Sequence, residues 1–140
     1  MKVLFDTNVV LDVLLSREPY LDNAIALFDA VEKQIIQGYL CATTITTVDY
    51  LATKALGKAG SKIAIGKLLE LFVIAEVNRR TLTAALSSDF SDFEDAVLFH
   101  AGFDAGVDNV VTRNGKDFKT AELPIYSPDE LLKLIQSSQP

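Results

Sequence analysis

The sequence predicts an α/β fold of three layers, α/β/α, around a central parallel sheet of four or five strands. Three observations lead there. Short apolar runs of strand length recur along the chain, and stretches with apolar residues at helical spacing separate them. No internal repeat, low-complexity tract or linker interrupts the alternation. Strands that alternate with helices pair in parallel, and the crossovers lay helices on both faces of the sheet.

Each element follows in order. KVLF reads as a short buried strand. TNVVLDVLLS reads as a helix, with Val9, Val10, Val13 and Leu14 at helical spacing. Pro19 suits a helix's first turn, and LDNAIALFDAVEKQI carries Leu21, Ile25, Phe28 and Val31 on one side, with Gly38 as its stop. YLCATTI is apolar and β-branched enough for a second strand. TTVDYLATKAL then forms a helix ending at Gly57, and SKIAIGKLLELF forms another in tandem, with Gly60 and Ser61 at its start. VIAEV is a third strand, followed by helical residues from about Arg79 to Ser87. SDFSDFEDAVLFHAGFDAG is the next helix, where Ser91 and Glu94 fit the S-x-x-E capping box. NVVT is a fourth strand, RNGKDF a loop and PIYS a last short strand. SPDELLKLI closes the chain as a helix, with Ser127 as N-cap and Pro128 at the first helical position. Residues 1–136 are expected to form one domain, and SSQP, residues 137–140, a frayed tail.

Composition bounds the function. A chain of 140 residues, 49% apolar, has the length and the apolar content for one substantial core. No apolar stretch reaches the ~18 residues that a membrane span needs, so no membrane association is expected. No signal peptide is visible either, since Asp6 and Asn8 interrupt the first apolar run and no small-residue cleavage site follows. Cys41 is the only cysteine, which forbids an intrachain disulfide and makes the cytoplasm the expected location. The net charge of −6 excludes a broad electrostatic grip on nucleic acid. It leaves room for a nuclease whose acids are concentrated in one metal-binding cleft.

Four acids stand where an open α/β sheet builds its sites, near the carboxyl ends of the strands. Asp6 ends the first strand, Asp117 follows NVVT by a few residues, Asp95 lies in the first turns of its helix, and Asp49 lies in the helix after YLCAT. Each also has a plainer reading. Taken alone, Asp6 is more commonly a cap for the helix starting at Thr7. Asp95 could simply favour a helix dipole. Yet it shares a face with Phe99, Gly102 and Gly106, an apolar and small face, so its carboxylate is expected to point inward, where it needs a cation or donors. Asp49 shares a stripe with Thr53 and Leu56, and a surface acid is as good a reading there. Asp117 alone is an ordinary loop residue.

Carboxylates that converge without matching Lys or Arg repel one another, and a divalent cation resolves the repulsion. Oxygen-only donors suit Mg²⁺ or Mn²⁺ rather than zinc. Such an ion turns water into a nucleophile and stabilises a phosphate in transit, which points to phosphodiester hydrolysis.

The sequence resembles the PIN domain family, in particular its small VapC-like toxin ribonucleases, over nearly its whole length. FDTNVVLDVLL is similar to the opening D-x-N motif, FEDAVLFHAG to the central Asp-helix motif, and VVTRNGKDF to the T-R-N-x-x-D-F motif, in matching order and spacing. The resemblance implies Asp6, Asp95 and Asp117 as metal-binding acids, with Asn8, Thr112 and Asn114 as supporting polar residues. It implies a Mg²⁺- or Mn²⁺-dependent endoribonuclease, the toxin of a toxin–antitoxin pair, with RNA as substrate, an antitoxin protein as partner, and homodimers common among its relatives. Where the family usually has Glu after strand two, this chain has Asp49, one methylene shorter and suited to reach a metal only through water. Asp49 or a neighbouring acid would orient the attacking water. Asp12 faces elsewhere and reads as structural. His100 reads as a packed histidine rather than a general base, and Cys41 as a core residue. Lys54, Lys58 and Lys62, with Arg113 and Lys116, could rim the site for RNA phosphates, although a solvated helix face is the commoner explanation for the lysines. Two other readings stand behind this one. One is a catalytically weakened PIN-like module that binds RNA or protein. The other is a phosphatase of the haloacid dehalogenase type, which ranks lower because its D-x-D motif would need an acid at Asn8.

Overall fold

A computed structural model describes residues 1–139. It contains five strands, β1 (Lys2–Phe5), β2 (Gln37–Cys41), β3 (Val73–Ala75), β4 (Asn109–Val111) and β5 (Ile125–Tyr126). Between and after them run α1 (Thr7–Leu14), α2 (Leu21–Glu32), α3 (Ala42–Leu71), α4 (Arg79–Leu86), α5 (Phe93–Ala105) and α6 (Pro128–Ser138), with a 3-10 turn over Gly115–Phe118. The strands form one sheet in the order β3-β2-β1-β4-β5, every pair parallel. The three-layer α/β/α fold expected from the alternation is the one observed.

The pleat of β1 divides the core. Val3 and Phe5 face a cluster supplied by α1, α2, α3 and α6, while Leu4 faces one supplied by α4 and α5. On the first face Phe5, Phe28 and Phe72 meet edge-on, with ring centroids 5.1 to 6.0 Å apart. On the second face α5 lies so close to β1 that a Cβ at Gly102 would stand 2.6 Å from a methyl of Leu4. The small residue on the Asp95 face of α5 is therefore what brings that helix down onto the strand that ends at Asp6. No helix among the described residues is long and apolar enough to cross a membrane.

Several boundaries differ from those the sequence suggests. β2 begins at Gln37 and stops at Cys41, so Thr43, Thr44 and Ile45 are helical despite their β-branched side chains. Pairing of β2 with β1 ends at Tyr39 and with β3 at Cys41, and beyond that nothing rewards an extended chain. α2 ends at Glu32, where Gln34 takes a positive φ of 61°; Gly38 is not its stop but a β2 residue whose Cβ position is taken by the Phe72 ring, 2.5 Å away. Pro19 lies in the turn before α2 and not in its first turn. The tandem helices form as expected and meet at a kink at Gly57, whose φ of 77° only glycine adopts freely. The cap of α5 is Asp92, which accepts from the Asp95 N–H, and not Ser91. Both residues are good caps, and the register one residue later puts Asp95 in the first turn with Ala96 and Phe99 buried. The capping box of α6, Ser127 with Glu130, forms as expected. Ser137 and Ser138 belong to α6 rather than to a tail, each hydroxyl donating to the Leu134 carbonyl, and Pro140 lies outside the described residues.

Candidate active site

The site candidates gather where β1 and β4 end side by side. The Asp6 N–H donates to the Val111 carbonyl at 3.0 Å, and the Thr112 N–H to the Tyr126 carbonyl at 2.9 Å. These bonds extend the sheet by one residue on each strand. Asp6 therefore sits on rigid backbone at the sheet's carboxyl edge, 5% exposed. It occupies the N-cap position of α1, yet its carboxylate makes no cap hydrogen bond. The plain capping role is therefore unfilled. What the carboxylate does accept is the buried Thr112 hydroxyl, at 2.7 Å.

Burial pushes the Asp6 carboxyl above its ordinary range, and the negative charge of Asp117 adds to the push. The Thr112 hydroxyl, the approaching Thr7 N–H and the charge of Arg113 oppose it. Asp95, half-buried in the first turn of α5, is pushed up to about 7, first by burial, then by the charges of Asp6, Asp92, Asp117 and Glu94. Three acids from three separate chain segments thus share one electrostatic field: the end of β1, the start of α5, and the turn after β4. No group of three acidic, His or Cys side chains among the described residues is placed to hold an ion directly between them.

The supporting residues divide. Thr112 is the hub, donating to Asp6 and accepting the Asn114 N–H at 3.0 Å. Asn114 joins through its main chain, its carbonyl also accepting the Asp117 N–H at 2.9 Å. The 3-10 turn carrying Asp117 is anchored at its far end by Phe118, which is buried against Phe90 with ring centroids 5.8 Å apart. Asn8 is half-buried in the first turn of α1.

Asp49 does not join the three. Its carboxylate accepts from the buried Ser61 hydroxyl at 2.7 Å and from Thr53 at 3.4 Å, and its charge is not among those that shift Asp6 or Asp95. It clips the two halves of α3 together across the Gly57 break. Arg113 does not rim the acids freely either, since its guanidinium is held by Asp12. Lys54 lies over the Tyr50 ring, 4.3 Å from its centroid. His100 packs edge-on against Phe99, and Cys41 is buried in the core, as expected of both.

Two contributors escaped sequence reasoning. Asp92 adds its charge to Asp95 as well as capping α5. Thr7 and the buried Thr44 join hydroxyls at 2.9 Å and tie the start of α3 to the residue after Asp6. The hydroxyl run Thr43, Thr44, Thr46, Thr47 was the available signal for the second.

The pH dependence of stability follows from Asp95. Between its ordinary value of 3.8 and about 7, the folded protein keeps a proton that the unfolded chain has lost. Metal-free stability therefore falls as pH rises through that window, and the loss is complete above it. Asp95→Asn removes this component. Relative to wild type, the variant should gain on the order of 1 kcal/mol from mildly acidic to mildly alkaline pH, a figure reduced for the solvent screening of a half-buried group. Urea unfolding of both proteins in EDTA at the two pH values checks it, and parallel pH profiles would count against the shared field.

Comparison with known proteins agrees with this architecture. Residues 2–116 match the PIN domain family. No curated protein matches the chain in sequence. Among solved structures, a toxin–antitoxin complex from Klebsiella pneumoniae is similar, with 22% identity and a TM-score of 0.68, over 90% of this chain and 97% of that one. FitAcB from Neisseria gonorrhoeae is similar at 18% identity and a TM-score of 0.68, over 90% of this chain and 97% of its own. VapC20 from Mycobacterium tuberculosis, described as a Sarcin-Ricin loop cleaving toxin, is similar at 13% identity and a TM-score of 0.68, over 85% and 95%. With the fold and the match across most of its length, the chain belongs to the PIN domain family.

Proposed function

We propose that this protein is an endoribonuclease that hydrolyses RNA phosphodiester bonds with the help of Mg²⁺ or Mn²⁺, and that it acts in the cytoplasm as the toxin of a toxin–antitoxin pair. The observation that carries the reading is the shared field of Asp6, Asp95 and Asp117 at the sheet's carboxyl edge, with Arg113, the nearby cation, bound to Asp12. Arg113 offsets the charge at Asp6 only in part, and no cation is among the groups that act on Asp95. The donor set fits a hard divalent cation, because it offers carboxylate oxygens and an excess of negative charge. Mg²⁺ retains much of its water and takes one or two carboxylates directly, so three acids need not close on one point. Asp6, Asp95 and Asp117 would hold it.

Such a cation, when bound, acidifies water for attack and offsets the charge of a phosphate in transit. The chain's own residues have separate tasks. Thr112 fixes the orientation of one Asp6 oxygen through its hydroxyl. Asp95, pushed up to about 7 in the metal-free protein, is a group whose ionised form a bound cation would favour. Asp117 is carried on a turn pinned by Phe118. Similar folds described as toxin–antitoxin complexes support the antitoxin partner, and the similar Sarcin-Ricin loop cleaving toxin supports RNA as the substrate.

A second reading, a PIN-like module with weakened catalysis that works by binding RNA or protein, is favoured by Asp49, whose carboxylate is engaged by Ser61 and not by the site. Purified protein is expected to cleave RNA in Mn²⁺ and to stop in EDTA, with Asp117→Asn reduced to background. Intact RNA in both conditions, together with RNA retention on the protein, would establish the second reading instead.

A further inference from the structure

Asp12 is a fully buried acid on α1, six positions after Asp6. Its two oxygens take Nε and Nη2 of Arg113, at 2.7 and 3.2 Å, across 101 residues of chain. The guanidinium also lies over the Tyr20 ring, its central carbon 3.8 Å from the ring centroid. A guanidinium gripped on one edge by a carboxylate and covered on one face by an aromatic ring has little freedom left. Burying a carboxylate to hold an arginine is costly, and a chain that needed only a packed contact there could use apolar side chains.

The position of Arg113 gives the pair a use. It stands between Thr112, whose hydroxyl donates to Asp6, and Asn114, whose N–H donates to Thr112 and whose carbonyl accepts the Asp117 N–H. The segment from Thr112 to Asp117 is short, contains the exposed Gly115 and Lys116, and ends in one 3-10 turn, a structure with little stability of its own. Phe118 pins its far end. Its near end is pinned twice by the same chain segment, Thr112 to Asp6 and Arg113 to Asp12.

We propose that Asp12 is a positioning residue of the acidic site: through its two-bond grip on Arg113 it fixes the Thr112–Asp117 segment so that Asp117 is held beside Asp6. The proposal rests on the reading of these acids as the reactive site. Asp12 touches neither substrate nor metal and acts through Arg113 alone.

The test is amide hydrogen exchange on the metal-free protein, with Mn²⁺ titration alongside. Asp12→Asn is expected to speed exchange at the Asn114 and Asp117 amides while the Asp6 and Val110 amides keep wild-type rates. It should also weaken Mn²⁺ binding by roughly tenfold or more, the usual effect of removing a residue that orients ligands from behind. Arg113→Lys, which keeps the charge but not the fork, should do both to a lesser degree, and it carries the same comparison should Asp12→Asn not fold. Unchanged exchange at Asn114 and Asp117 would overturn the proposal. So would faster exchange spread evenly through the sheet, the mark of a pair that only stabilises. The exchange result stands without metal or RNA, so a wild type that binds no Mn²⁺ and cleaves nothing would refute the nuclease reading without being mistaken for failure of this one.

Discussion

Asp6→Asn is expected to abolish cleavage while leaving the metal-free protein at least as stable as wild type. Asn is nearly isosteric and still offers an oxygen to the Thr112 hydroxyl. What it removes is a buried charge whose ionisation burial disfavours and Asp117 opposes. Mn²⁺ should act in the opposite direction. A ligand that binds only the folded state adds RT ln(1 + [L]/Kd), about 2.7 kcal/mol at a hundred times Kd, and Asp6→Asn should lose most of that gain. A purely local role for Asp6 predicts another pattern, with Asn serving as well as Asp and metal acting equally on both proteins. The absence of any cap bond from the Asp6 side chain already speaks against it. Thermal melts of the two proteins with and without Mn²⁺ decide, and equal metal-induced shifts would remove Asp6 from the ligand set.

The sheet was legible because its strands are short, apolar and separated by helical spacing, and a strand buried on both faces has no other sequence form. Boundaries were less so. Thr43, Thr44 and Ile45 have strand propensity and lie in a helix, because pairing with β1 and then β3 had ended and nothing in the local sequence marks where a partner stops. Ser91 and Asp92 compete for one cap, and only the packing of Ala96 and Phe99 chooses between them.

The placement of Asp6, Asp95 and Asp117 near one edge was readable from strand ends and helix starts, since topology alone brings those places together. The bonds between them were not. Asp49 was aligned with the other acids by position, but its partner, Ser61, lies beyond a break at Gly57 whose direction no spacing rule gives. Asp12 could be read as facing away from Asp6 along α1. That it meets Arg113 could not, because the two are joined only by the folding of β4 against β1.

That long-range pair should also show itself in stability. Arg113→Met is expected to destabilise the fold by about 3–5 kcal/mol, the usual consequence of leaving one member of a buried ion pair without its partner. The Asp12 side chain is 1% exposed and cannot turn to water, whereas Arg113, at 20%, can. Asp12→Asn should therefore be milder, since it leaves the accessible partner free to be hydrated. Converting both, Asp12→Leu with Arg113→Met, should recover most of the loss, because a buried pair exchanged for apolar side chains of similar volume is often neutral or better. The double variant separates two properties that the single ones confound. If the pair exists to direct the Thr112–Asp117 segment, the protein should regain its urea midpoint and still bind Mn²⁺ poorly, since leucine and methionine fill space without fixing an orientation. Urea unfolding and Mn²⁺ titration on the same samples test it. Recovery of both quantities together would show that packing alone holds Asp117 in place.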